Sequence, residues 1–165
     1  MSQIKLTYSG YYNSSAGVLY SDRYRCEVEL VGKKVGDSYL TRCAEYFEQL
    51  PEGILDELKA ASAEYLNDFL EENEGSLDDA CPETVTAENV MTFLEPVLLS
   101  AVPHELLTED DAPPAFAVKL MFKPVPDLLA EWAVSDKAVY VGEFRDVNPW
   151  NEKLLLKKWN YLGGK

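Results

Sequence analysis

Residues 37–73, DSYLTRCAEYFEQLPEGILDELKAASAEYLNDFLEEN, decide the fold of this chain. Asp37 or Ser38 offers a helix N-cap. Leu40, Cys43, Phe47 and Leu50 then recur at spacings of three and four, the apolar stripe of a helix reaching about residue 50. Pro51 ends that helix and suits the first turn of the next, where its missing N–H costs little. Ile54, Leu58, Ala61, Tyr65 and Phe69 make a second stripe, widened by Leu55, Leu66 and Leu70. It runs to Glu72 or Asn73, and Gly75 stops it. Helices joined by so short a turn pack as an antiparallel pair or form one bent helix.

The flanks read differently. Upstream, Ile4 to Tyr8 alternates apolar and polar as a half-buried strand does, Val18-Leu19-Tyr20 is a short second strand, and residues 25–31 place Cys26, Val28 and Leu30 on one face. Downstream, Thr86 offers a cap for a short third helix through Phe93 or Leu94, and Pro96 marks a change. Residues 97–102 read as a buried strand, with a helix as the alternative. Residues 104–114 form an acidic, Pro-containing loop, and residues 116–122 form a strong strand. Residues 128–134 favour a strand over a helix capped by Asp127, because Ser135-Asp136-Lys137 is a compact hairpin loop into residues 138–144.

Strands, then helices, then strands predict an α+β fold: an antiparallel sheet with a central helical pair packed on one face. The expected organisation is a single domain over 1–165, β-rich in 1–36, helical in 37–95, β-rich in 96–150, with a tail over 151–165 docked by Trp159 and Leu162. The N-terminal strands either pair with each other or extend the C-terminal meander; the sequence leaves both open.

The chain has 165 residues, 47% of them hydrophobic and 12% aromatic, which suits one domain with a full core. Its net charge is −14. Such a charge repels phosphate backbones and argues against direct nucleic-acid binding, whose affinity comes from Lys and Arg. A basic protein partner is better matched. The charge is uneven. Residues 45–83 hold thirteen Asp or Glu against the single base Lys59. Glu57, Glu64, Asp68, Glu71 and Glu72 lie mostly off the apolar stripe of the second helix. Like charges at these spacings repel by about 0.2–0.5 kcal/mol per pair. This pattern is either a solvated face or a docking surface for a basic partner.

Reactive groups are sparse. Cys26, Cys43 and Cys81 show no paired spacing and read as thiols in a reducing compartment, so a cytoplasmic location is expected. The start of the chain has no signal-peptide pattern, and no stretch is apolar enough for a membrane span. Asn13-Ser14-Ser15 matches a glycosylation sequon by chance. His104 is the one histidine, with nothing in the sequence to orient a nucleophile against it. The Cys and His spacings do not suit zinc, and Asp78-Asp79 and Glu109-Asp110-Asp111 do not follow the calcium-loop pattern. Residues 32–38 lack the Gly-Lys-Ser/Thr ending of a phosphate loop. No cofactor is expected and an enzyme is unsupported; glycosidase-type carboxylate pairs leave no spacing signature.

Tyr8, Tyr11, Tyr12, Tyr20 and Tyr24 flank a Gly/Ser/Asn loop. Tyr combines contact area with a polar tip, so Tyr11 and Tyr12 are candidate partner-binding residues; packing on the sheet is the alternative. Trp132, Trp150 and Trp159 read as core and edge anchors.

The stretch Asp136-Lys137-Ala138-Val139-Tyr140-Val141-Gly142-Glu143-Phe144, followed by Asn148-Pro149-Trp150, resembles the C-terminal hairpin of small uncharacterised bacterial α+β domains. Some of these are encoded as immunity proteins beside secreted toxins. The resemblance covers a small part of the chain and carries no functional residue across. It implies a small acidic cytoplasmic inhibitor that binds a toxin domain. Two other expectations stand beside this binding role. One is a homo-oligomeric assembly module, joined through an exposed sheet edge or the apolar tail from Leu154. The other is a carboxylate-based, metal-assisted enzyme.

Overall fold

The computed structural model describes residues 2–8 and 14–162. Seven strands form one sheet in sequence order: β1 (Gln3–Tyr8), β2 (Ser15–Ser21), β3 (Cys26–Gly32), β4 (Leu94–Ala101), β5 (Phe116–Phe122), β6 (Leu129–Val134) and β7 (Ala138–Glu143). Helices α1 (Asp37–Glu48) and α2 (Glu52–Glu72) and the one-turn α3 (Val90–Phe93) lie between β3 and β4. All neighbouring strands pair antiparallel except β3 and β4, which are parallel. A parallel pairing needs a long crossover, and the helical segment supplies it. The expected α+β architecture is present, and the two β-rich ends join in a single sheet.

The core lies between the helices and one sheet face. Leu30, Leu99, Val118, Trp132 and Val141 stand opposite one another on successive strands. All five are fully buried. Removing such side chains from water stabilises by about 1.5–3 kcal/mol each, which makes this row a major part of the fold's support. Onto it α1 lays Tyr39, Leu40, Cys43, Ala44 and Phe47, and α2 lays Leu55, Leu58, Leu66 and Leu70. Phe47 meets the edge of Phe116 and the stacked face of Tyr24, and Phe69 meets Phe122. The α1 helix packs over β1 to β4, whereas α2 sits at the β7 end. Arg23 caps α1 by donating to the carbonyls of Glu48 (3.1 Å) and Leu50 (3.0 Å).

Three local expectations are corrected. The third helix is a single turn, shorter than a helix capped at Thr86 and running to Phe93. Thr86 and Asn89 exchange side-chain-to-backbone bonds that close a turn, and only Val90–Phe93 is helical. Strand β4 starts at Leu94 and contains Pro96, because β3 meets β4 only from Glu29↔Leu98 onward and the register with β5 shifts between Pro96 and Leu98. A proline is tolerated at such a one-sided, irregular place. Strand β2 is longer than its apolar centre, since Ser15 and Ser21 pair with Gly32 and Cys26.

Residues 151–162 pack along the β7 end of the sheet. A 3₁₀ turn (Glu152–Leu156) places Leu154 with Ala133, Val139 and Tyr140 in a small second core, against which Trp159 packs. Asn160, fully buried, closes the outer edge of β7. It accepts from Val141 N–H and donates to the Val139 carbonyl, while Tyr161 N–H donates to the Val141 carbonyl. Gly142 permits this approach: a Cβ there would lie 2.7 Å from Tyr140 Oη and 2.8 Å from the Trp159 carbonyl.

Candidate protein-interaction surface

The α2 helix fixes the geometry of the acidic residues. Glu57, Glu64, Asp68, Glu71 and Glu72 are all exposed. At 3.6 residues per turn they fall within an arc of about 100°, and they extend about 22 Å along the axis. The structure therefore brings the five together as one ridge. Its register is set from the opposite side of α2, where Leu55, Leu58, Ser62 and Leu66 are buried. The Trp132 indole N–H donates to Ser62 Oγ (2.8 Å) and pins that face to β6.

Arg23–Glu52, Lys33–Asp146 and Arg145–Glu143 are ion pairs of the fold. Glu57, Glu71 and Glu72 make no ion pair among the described residues. Asp68 accepts a hydrogen bond from Tyr161 Oη (2.7 Å). Burial, then this bond, raises the Tyr161 pKa, so the phenol remains a donor. The last turn of α2 carries no basic residue. Carboxylates there face the negative pole of the helix dipole, an arrangement that costs about 0.3–1 kcal/mol per charge.

The acidic surface continues beyond the helix. Gly75, at φ 85°, turns the chain, and the Asn67 amide clamps the returning segment. Asn67 Nδ2 donates to the Val85 carbonyl (2.9 Å) and its Oδ1 accepts from Val85 N–H (2.8 Å). An open groove of about 850 Å³ results, with Glu71, Glu74, Asp78, Asp79 and Glu83 in its lining and no basic residue. Charge counting marks this segment as acidic but does not assign Glu74, Asp78, Asp79 and Glu83 to one concavity with Glu71. That depends on the Asn67–Val85 clamp across the loop.

Tyr11 and Tyr12 lie outside the described residues. Tyr20 is exposed on β2, whereas Tyr24 is packed against Phe47 and Trp132 and belongs to the core. Trp132 is a core residue. Trp150 donates its N–H to the Val102 carbonyl, and Trp159 packs between Tyr140 and Arg145.

The reactive groups have structural surroundings. Burial pushes the Cys26 and Cys43 thiols up to about 11 and raises Cys81 as well, which opposes thiolate formation. His104 Nδ1 accepts from the Leu106 and Leu107 N–H groups (3.0 Å each), and its ring packs on Trp150. Among the described residues no group of three or more His, Cys, Asp or Glu is arranged to hold a metal ion, and no helix is long and apolar enough to cross a membrane. Glu131 on β6 is the one charged side chain buried among the described residues. Its Oε1 accepts from the N–H groups of Arg145 (2.9 Å) and Val147 (3.3 Å), and its Oε2 also accepts from Val147 (3.2 Å). It clasps the segment after β7 to the sheet.

No protein-family model, curated protein or solved structure matches this chain.

Proposed function

We propose that this chain is a protein-binding domain whose α2 ridge and adjoining groove dock a basic partner, in the manner of an immunity-type inhibitor. The observation that carries the reading is the alignment of Glu57, Glu64, Asp68, Glu71 and Glu72 on one exposed arc of α2, at some cost to the helix. A domain selected for stability alone would intersperse Lys or Arg there. Proteins that act on nucleic acid hold phosphates with Lys and Arg, so a nuclease cleft is one basic surface that the ridge would fit. Electrostatic attraction would steer encounter, and the apolar and aromatic side chains beside the ridge would supply contact area.

The test is paired affinity capture from the native cell extract. One bait is the wild-type chain, and the other carries Glu64→Lys, Asp68→Lys, Glu71→Lys and Glu72→Lys. The reading expects a basic protein retained by the wild type at moderate salt and lost by the reversed bait, with circular dichroism unchanged. Equal retention of that protein by both baits would remove the ridge from the account.

A further inference from the structure

The two edges of the sheet are finished differently. Asn160 and Tyr161 bond to the outer side of β7 and seal it. Among the described residues β1 bonds only to β2. It is six residues long, pairs with β2 without a register shift, and holds neither Pro nor Gly. Its one charged residue is Lys5, and Ile4 and Leu6 are only half-buried. Natural edges are usually blunted by bulges, prolines, several charges or a covering segment. This one has the regularity of a strand that accepts a neighbour.

We propose that β1 is a self-pairing edge: two copies of this chain join β1 to β1 antiparallel, with the two-fold axis at Leu6, so that one sheet runs through both. The strand's own sequence suits a second copy and sets the register. A two-fold perpendicular to the sheet must place a residue opposite its own copy, and near the centre of β1 that residue is Lys5 or Leu6. An axis at Lys5 opposes two like charges, which destabilises a sheet pair. An axis at Leu6 opposes Leu6 to Leu6 on the helix side and Lys5 to Thr7 on the other.

Charge distribution permits the assembly. The excess negative charge lies on α2, at the β7 end. The first 44 residues carry six basic and four acidic groups. Six inter-strand spacings of roughly 4.8 Å separate β1 from β7. That distance is more than three Debye lengths of about 8 Å, so the acidic ridges of the two copies barely sense each other. Both ridges stay open on the outer ends of the dimer, so this inference stands independently of what binds α2.

Sedimentation across a concentration series up to millimolar protein tests it, with exposed Thr7 as the register reporter. Each Lys5–Thr7 contact occurs twice by symmetry. Thr7→Lys is expected to raise the dimer dissociation constant about fivefold, and Thr7→Glu to lower it about fivefold. Lys5→Glu added to Thr7→Lys turns the repelling pair into an attracting one and is expected to bring the constant about fivefold below wild type, as Thr7→Glu does. A wild-type chain that stays monomeric throughout overturns the proposal and leaves the edge to an extended segment of another protein. A dimer indifferent to both Thr7 variants but dissociated by Leu156→Lys also overturns it, and places the contact on the C-terminal segment.

Discussion

Trp132 and Ser62 are joined by a hydrogen bond of 2.8 Å from the indole N–H to the hydroxyl, and both side chains are fully buried. The bond crosses from β6 to α2 and sets the rotation of the helix that carries the acidic ridge. Ser62→Ala leaves the indole N–H without an acceptor in an apolar surrounding. The expected loss is about 1–3 kcal/mol, read as a lowered urea midpoint with an unchanged slope.

Reversing charge at the end of α2 should stabilise the isolated domain. Glu71→Lys and Glu72→Lys replace unfavourable charges at the negative helix pole with favourable ones and relieve repulsion along the ridge. The expected gain is about 1 kcal/mol for the pair, seen as a higher Tm at low ionic strength that shrinks with added salt. A lowered Tm would mean that these carboxylates are structurally useful, and the cost assigned to the ridge would be wrong.

The Glu131 clasp has a defined pH signature. Burial pushes its pKa up from 4.5 to about 7, outweighing the Arg145 and Val147 N–H groups that favour the charged form, while nearby Asp146 adds to the rise. The folded state therefore binds this proton more tightly than the unfolded chain. The associated stability is fully present below the ordinary carboxylate value and is lost as pH rises through about 7. Against Glu131→Gln, which keeps an acceptor but cannot titrate, the wild type should lose on the order of 3 kcal/mol between about pH 4.5 and 7. Urea titrations of both proteins across that range measure the difference. A constant difference would contradict the assignment.

Asn160 does the work of a strand on the outer side of β7. Asn160→Ala leaves Val141 N–H and the Val139 and Leu154 carbonyls without this partner in a buried place. The expected cost is upward of about 2 kcal/mol. Amide exchange at Val141 should accelerate far more than at Val118 in the sheet centre. Equal acceleration at both would show global loosening instead of a released edge.

The parts legible in the sequence are those whose physics is local. The 3.6-residue stripes fixed both long helices to within about two residues, and residues 116–122, which read as a strong strand, are the observed β5. The direction of the ridge followed from helical period alone. Features held by distant residues were not legible. Pro96 reads as a boundary in the sequence because its tolerance inside β4 depends on where β3 stops pairing. Thr86 supplies the capping chemistry read in the sequence and Asn89 returns the bond, but the length of the helix that follows, one turn, has no local signal. The acidic groove requires Asn67 to meet Val85, and the clasp requires Glu131 to meet Arg145 and Val147; neither contact has a spacing rule.

The association rate of the captured partner tests the docking surface most directly, compared between the wild type and the variant reversed at Glu64, Asp68, Glu71 and Glu72. At low salt the wild type should associate at least about tenfold faster, and the advantage should vanish as ionic strength approaches 1 M, with circular dichroism the same for both. Equal rates at every ionic strength would contradict the account.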